Sequence, residues 1–102
     1  MKRDRATTLL KDLVHRAAAD EWPARLVTAV YVFGSYARGS LEPRDVDVAV
    51  DIDRSDDEWT SHFIGSFSYG RDPYTVLRVA LRGRLRSVEI LFERDHGMTT
   101  YR

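Results

Sequence analysis

The spacing of apolar residues along the chain predicts a helix followed by a strand. Apolar positions recur at helical spacing between charged residues over 5–20, which predicts an amphipathic helix that ends before Trp22-Pro23. Residues 28–33 are β-branched and aromatic and are apolar on both alternating faces, as in a central buried strand. Gly34 interrupts this run, so we expect the strand to end there.

Residues 45–53 alternate between polar and apolar with a period of two, which predicts a second strand with two different faces. Four apolar side chains share the face expected to point into the core: Val46, Val48, Val50 and Ile52. The opposite face carries four acids and one alanine: Asp45, Asp47, Ala49, Asp51 and Asp53. Four carboxylates are therefore expected along one side of this strand.

The second half of the chain predicts one helix and a hairpin. Ser55 begins an S-x-x-E pattern, the spacing of a capping box, so we expect a helix that starts near residue 56. The runs 75–81 and 87–92 read as strands, and a turn is expected around residues 82–84. These two strands are expected to pair with each other.

The composition favours a single compact domain over residues 1–102. A hydrophobic fraction of 43% in 102 residues suffices for one core but not for two. Sixteen basic and sixteen acidic residues cancel, so no overall field directs the chain to nucleic acid or to a membrane. The absence of cysteine excludes a disulfide framework and a thiolate zinc site, and the cytoplasm is the expected location. Function is therefore expected in a local site.

Two polar features lie on strands that are expected to be neighbours. Gly34 lets the backbone approach a ligand, and Ser35 opens a short helix expected to reach Arg38, which together form an anion site suited to phosphate. The Asp45 and Asp47 side chains share a face and lie about 7 Å apart along the strand. Such carboxylates, together with triphosphate oxygens, suit magnesium, and two ions would activate an attacking oxygen and stabilise a leaving pyrophosphate.

A third carboxylate is expected on a neighbouring strand. Glu89 interrupts the otherwise apolar run 88–91, and an unpaired acid in such a strand is costly. Metal coordination, or proton abstraction from an attacking hydroxyl, would account for the glutamate. The alternative is an edge-strand glutamate that faces solvent.

These motifs resemble a known family. Gly-Ser-Tyr-Ala-Arg-Gly at 34–39, followed by Asp-Val-Asp-Val at 45–48, resembles the G-S-x-x-R-G to D-x-D signature of minimal nucleotidyltransferase domains in the DNA polymerase beta superfamily. The resemblance covers residues 28–53 closely and extends loosely to residue 92. It implies an α/β (α+β) nucleotidyltransferase fold, with a small mixed sheet flanked by helices.

The resemblance also implies the roles of individual residues. The residues it implies for nucleotide binding are Gly34, Ser35 and Arg38. The acids it implies for metal binding and catalysis are Asp45, Asp47 and Glu89. Arg38 suits phosphate oxygens, although a plain surface role is the alternative. Tyr36 is assigned to packing, with base stacking as an alternative.

The reaction implied is magnesium-dependent transfer of a nucleoside monophosphate, AMP when ATP is the donor, to a hydroxyl group. Many such small proteins resemble antitoxins that silence a HEPN-type ribonuclease by attaching adenylate to a tyrosine, while other relatives are toxins that modify tRNA. Because the chain has no residues for a substrate domain, we expect a macromolecular acceptor, either a HEPN-like protein or tRNA. Assembly as a homo- or hetero-oligomer is compatible with both.

Three departures from the signature keep a non-catalytic alternative open. Arg44 replaces a common serine, nine residues instead of ten separate Ser35 from Asp45, and the third acid is a glutamate. A degenerate member would bind a nucleotide or a partner without turnover, but retention of both D-x-D carboxylates favours activity. Separately, the arginines at 78, 82, 84 and 86 either form a basic strip for RNA or an acidic partner, or line a solvated strand edge.

Overall fold

The computed structural model describes residues 1–83 and 87–92, which form a three-stranded mixed sheet with helices packed against it. In chain order the elements are α1 (Arg3–Ala17), a 3-10 turn (Ala24–Leu26), β1 (Val27–Phe33), α2 (Gly34–Ala37), β2 (Val46–Ile52), α3 (Asp57–Ser68), α4 (Thr75–Arg82) and β3 (Val88–Leu91). This mixed architecture confirms the predicted fold class. Among the described helices, none has the length and apolar character needed to cross a membrane.

β2 is the central strand of the described sheet. It pairs antiparallel with β1, where Val50 lies opposite Val30, and parallel with β3, where Val48 lies opposite Ile90. The prediction that the first strand is central and buried is therefore wrong for the described part of the chain: β1 lies at an edge, and Tyr31 is its one buried residue. An edge strand that helices cover in part also tolerates apolar residues on both faces, which explains the error.

The core lies on the even-numbered face of β2, as its alternation predicts. Val46 and Val48 are 0% exposed, Val50 is 1% exposed and Ile52 is 6% exposed. Buried residues from α1, α3, α4 and the 3-10 turn pack against the same core: Leu9, Leu13, Leu26, Trp59, Leu77 and Leu81. Each such large side chain contributes about 1.5–3 kcal/mol by leaving water. This packing fixes the position and rotation of β2.

The start of α3 is set by Asp56, one residue after the serine of the predicted capping box. The Asp56 carboxylate accepts a hydrogen bond from the Trp59 backbone N–H at 2.9 Å. Hydrogen bonding to the Arg25 guanidinium and to that N–H lowers the pKa of Asp56. Ser55 instead donates its hydroxyl and its N–H to Asp53 in the preceding turn. The helix start near residue 56 is confirmed, but the capping residue was wrongly assigned.

The predicted strand over 75–81 is wrong, because these residues form α4. Leu77 and Leu81 lie one helical turn apart and are 0% and 1% exposed, whereas Val79 between them is 55% exposed. A strand would have placed all three on one face. The predicted hairpin is also wrong, because β3 pairs in parallel with β2 after a connection that includes α3 and α4. Of the expected turn, Arg82 ends α4 and Gly83 follows it, and residue 84 lies outside the described residues.

Candidate functional site

One row of residues crosses all three strands and joins the two polar features seen in the sequence. Phe33 of β1 lies opposite Asp47 of β2, and Asp47 lies opposite Glu89 of β3. Paired residues on adjacent strands direct their side chains to the same face of a sheet, so the two carboxylates are neighbours. Gly34 follows Phe33 directly and begins α2, and the short helix therefore starts beside this row.

Gly34 brings the backbone of this turn into close contact with Asp47. Its φ angle is +76°, a conformation that favours glycine. A Cβ atom at this position would overlap the Asp47 carboxylate and would lie 3.2 Å from its Cγ. Gly34, at the end of β1, and the D-x-D motif at the start of β2 therefore belong to one site.

Three acids and one base determine the electrostatics of this site. Burial raises the pKa of Asp47, and the negative charges of Glu89 and Asp45 raise it further. A hydrogen bond with Glu89 acts in the same direction, whereas the positive charge of Arg38 lowers the pKa. The carboxylates thus hold negative charge that neighbouring groups compensate only in part, which is a favourable environment for a cation.

The structure brings Asp47 and Glu89 together and places Asp45, immediately before β2, within electrostatic range. Within residues 1–83 and 87–92, no group of three or more acidic or histidine side chains is arranged closely enough to hold a metal ion. The chemistry of the donor set still fits a hard divalent cation, because Asp47 and Glu89 are carboxylates paired on adjacent strands and Asp45 directly precedes β2. The predicted ligand roles of these acids remain predictions.

Residues on α1 support the turn at Gly34, and no sequence pattern indicated this role. The Arg3 Nη1 donates hydrogen bonds of 2.9 Å to the carbonyl oxygens of Tyr36 and Ser40, and the guanidinium lies 4.2 Å from the centre of the Tyr36 ring. The Tyr36 hydroxyl and Thr7 Oγ1 are hydrogen-bonded at 2.7 Å. Tyr36 also packs against the core, which agrees with its predicted packing role. These contacts span about thirty positions, so no local pattern could reveal them.

An open cleft of about 480 Å³ adjoins the site at β3. It is lined by Arg78, Arg82, Glu89, Ile90 and Leu91. Arg78 and Arg82 lie on the helix α4, so the prediction that they share a strand face is wrong. Both side chains make contacts within the fold. Arg78 pairs with Asp72 at 2.8 Å, and Arg82 donates to the Val88 carbonyl at 2.9 Å. The remaining arginines of the proposed strip fall in 84–86, outside the described residues.

Comparison with known proteins agrees with this fold and site. The family model for the nucleotidyltransferase domain matches residues 12–96, which is most of the chain. The protein is therefore a transferase of the class that moves nucleoside monophosphates from nucleoside triphosphates. The chain belongs to the nucleotidyltransferase domain family, as its G-S-x-x-R-G and D-x-D motifs predicted. No curated protein and no solved structure matches it.

Proposed function

We propose that this domain transfers AMP from ATP to a hydroxyl group of a macromolecular acceptor, with magnesium held by Asp45, Asp47 and Glu89. The main support is the close approach of Gly34 to Asp47, which is itself paired with Glu89, because this contact joins a backbone turn to a pair of carboxylates. Family membership supports the transfer of a nucleoside monophosphate in general. The choice of ATP, of magnesium and of the acceptor belongs to the proposal.

Each group of the site has a distinct task in this proposal. Magnesium, when bound, supplies positive charge for the triphosphate oxygens and for the leaving pyrophosphate. The backbone N–H groups and hydroxyl near Ser35, with the Arg38 guanidinium, bind phosphate oxygens. Asp45 and Asp47 provide ligand oxygens. Such a site acts through positioning and charge stabilisation.

Glu89 has the exposure needed for the acceptor side of the reaction. Its side chain is exposed on β3 and is directly beside the more buried Asp47. In the proposed step the acceptor oxygen attacks the α-phosphorus, the bond to the β-phosphate oxygen breaks, and pyrophosphate leaves. Glu89 would complete the ligand set for magnesium, and its carboxylate would accept the proton of the acceptor hydroxyl.

The proposed acceptor is a tyrosine of a HEPN-type toxin, which would make this domain an antitoxin. Two observations support a macromolecule: the cleft beside Glu89 is open, whereas small substrates are usually enclosed, and the motif resembles that of minimal nucleotidyltransferases. A tRNA acceptor would need free cations at the cleft. Of the described arginines at the cleft, Arg78 pairs with an aspartate and Arg82 with a backbone carbonyl, which supports the protein acceptor.

Label transfer tests this proposal. The purified protein is incubated with magnesium, cell extract and each α-labelled nucleoside triphosphate, and the labelled species is identified. We expect label from ATP on a protein tyrosine, and a loss on the order of 10³-fold in Asp47→Asn. Asp53→Asn is the matched control, because that acid belongs to a turn beyond the site and its amide can still accept from Ser55. Absence of label from every nucleotide would contradict the proposed activity. Label on RNA would show that the acceptor is RNA and not a protein tyrosine.

A further inference from the structure

The helix α3 presents an apolar face to solvent. Phe63, Ile64 and Phe67 are 40%, 60% and 77% exposed, and their spacing places them on one side of the helix, next to the buried Trp59, whose ring centre lies 6.1 Å from that of Phe63. Single exposed apolar residues are common on protein surfaces, but a contiguous group on one helix face indicates an interaction site. We refer to Phe63, Ile64 and Phe67 as the α3 face.

The α3 face has a recess near one end and a projection near the other. A groove of about 220 Å³ lies beside its N-terminal half and is lined by Arg54, Trp59, Thr60 and Phe63. The most exposed member of the α3 face, Phe67, lies one turn farther along the helix. A recess and a projection on the same surface allow that surface to fit a copy of itself.

The charges at the two ends of α3 are also opposite. Asp57 is exposed in the first turn, and Arg71 is exposed just after the last turn. The Arg71 N–H donates to the Ser66 carbonyl at 2.8 Å and the Gly70 N–H donates to Phe67, which holds this segment against the helix end. In the part of the chain that the structure describes, neither Asp57 nor Arg71 forms an ion pair.

We propose that α3 pairs antiparallel with α3 of a second copy of this chain, about a two-fold axis near Phe63 and Ile64. Antiparallel pairing about this point places Phe67 of one copy next to the groove at Thr60 of the other. The same operation places Arg71 of one copy near Asp57 of the other. Because the axis is two-fold, each contact occurs twice, and the apolar and the charged contacts are satisfied by one arrangement.

The available area sets the expected strength of this dimer. The three side chains of the α3 face, together with the exposed Asp57, Thr60 and Arg71, leave on the order of 500 Å² of surface per copy. Two copies would then cover on the order of 1,000 Å², which is at the lower limit for a specific interface. We therefore expect a dimer that dissociates on dilution in the micromolar range. This inference does not depend on the proposed transfer reaction.

Sedimentation velocity of the full chain over a wide concentration range tests the apolar contact. We expect a concentration-dependent shift from monomer to dimer, and a dissociation constant at least about tenfold higher in Phe67→Ser. The matched control is Leu41→Ser, because Leu41 is 80% exposed but lies in the segment before β2. Circular dichroism verifies that each variant is folded. A wild-type chain that remains monomeric throughout, or equal weakening by both variants, would overturn the proposal.

Charge reversal tests the antiparallel direction. Asp57→Arg and Arg71→Asp are each expected to weaken the dimer about two- to fivefold at low ionic strength, and the double variant to restore it, because the ion pair re-forms with reversed sign. The altered charges near the helix ends are present in the double variant too, so restoration cannot come from helix stability. A double variant that dimerises no better than the single variants would overturn this arrangement.

Discussion

The two faces of β2 meet opposite requirements. On the even-numbered face, Val46, Val48 and Val50 are at most 1% exposed and stabilise the fold by burial. On the odd-numbered face, Asp47 is partly buried among like charges, and its raised pKa shows that the ionised form is disfavoured there. The seven residues of β2 therefore include both fully buried core valines and the acid whose pKa is raised.

The difference between the faces shows how a small domain can keep a strained charge in place. A carboxylate beside Glu89 and Asp45 would relax away from its neighbours if the backbone were free to move. The apolar side chains on the opposite face fix the rotation of the strand, so the acid cannot turn out of the site. Packing on one face thus preorganises the chemistry on the other.

The largest effect is expected where the odd-numbered face of β2 meets the turn after β1, at Gly34. Gly34→Ala would drive a methyl group into the Asp47 carboxylate at a φ of +76°. We expect transfer to fall about 100-fold and the free energy of unfolding to fall by about 2–4 kcal/mol. Gly39→Ala is the control, because Gly39 also has a positive φ, +89°, but open space at its Cβ. Urea unfolding and label transfer measure both, and similar losses in the two variants would show that contact with Asp47 is unimportant.

On the core face, Val48→Ala should lower stability without altering the chemistry of the folded molecule. Removing two buried methyl groups at a 0% exposed position is expected to cost about 2–3 kcal/mol of unfolding free energy. Val79→Ala makes the same change at a 55% exposed position and should cost less than about 0.5 kcal/mol. Urea denaturation checks both. A large drop in activity of folded Val48→Ala would contradict the division between the faces.

A smaller effect is expected from the support that α1 gives to the turn. Thr7→Val removes the hydrogen bond to the Tyr36 hydroxyl, which is worth about 0.5–1.5 kcal/mol, so KM for the nucleotide should rise up to about tenfold while kcat changes little. Thr8→Val is the neighbouring control, because among the described residues the Thr8 hydroxyl donates to the Asp4 carbonyl of its own helix and not to the turn at Gly34. Initial rates over a range of nucleotide concentrations measure the change. Equal KM values in the two variants would remove Thr7 from the support of the site.

The smallest expected effect is a pH-dependent gain of stability in Asp47→Asn. The folded pKa of Asp47 is raised above its ordinary value of 3.8, so the folded protein binds this proton more tightly than the unfolded chain does. Wild-type stability should therefore fall relative to the variant as pH rises from below the ordinary value through the raised one. Thermal unfolding across acidic to neutral pH should show equal midpoints in acid and a more stable variant at neutral pH. A less stable variant at neutral pH would contradict the raised pKa.

The same unfolding midpoints, measured with and without magnesium, test whether the acids bind a cation. A cation bound at the acids would remove the repulsion, so magnesium should raise the unfolding midpoint of the wild type and have little effect on Asp47→Asn. Removing the metal with a chelator should reverse the gain. Equal shifts in both proteins would indicate binding elsewhere.

Much of the site could be predicted because its residues break local patterns. The strict alternation of β2 identified both of its faces, and Glu89 was recognised because an acid interrupts an apolar strand. The two strands were expected to converge on one point, and the register of Asp47 with Glu89 confirms that they do.

The rest required information that the local pattern does not contain. In α4, Val76 and Val79 favour a strand, and only the burial of Leu77 and Leu81 shows that the helical period prevails. The support from Arg3 depends on contacts between distant parts of the chain. The exposure of Phe67 was likewise unpredictable, because an apolar helix position is normally assigned to the core.

The alternation of polar and apolar residues in β2 also specifies the register of the sheet while the chain folds. A slip of one position against β1 or β3 would send Asp47 and Asp51 inward and turn the valines out to water. Each acid buried without a partner would cost several kcal/mol, so a misaligned sheet has almost no stability of its own. The acids on the odd-numbered face of β2 therefore help to select one alignment of the sheet, because a shift of one position would bury them.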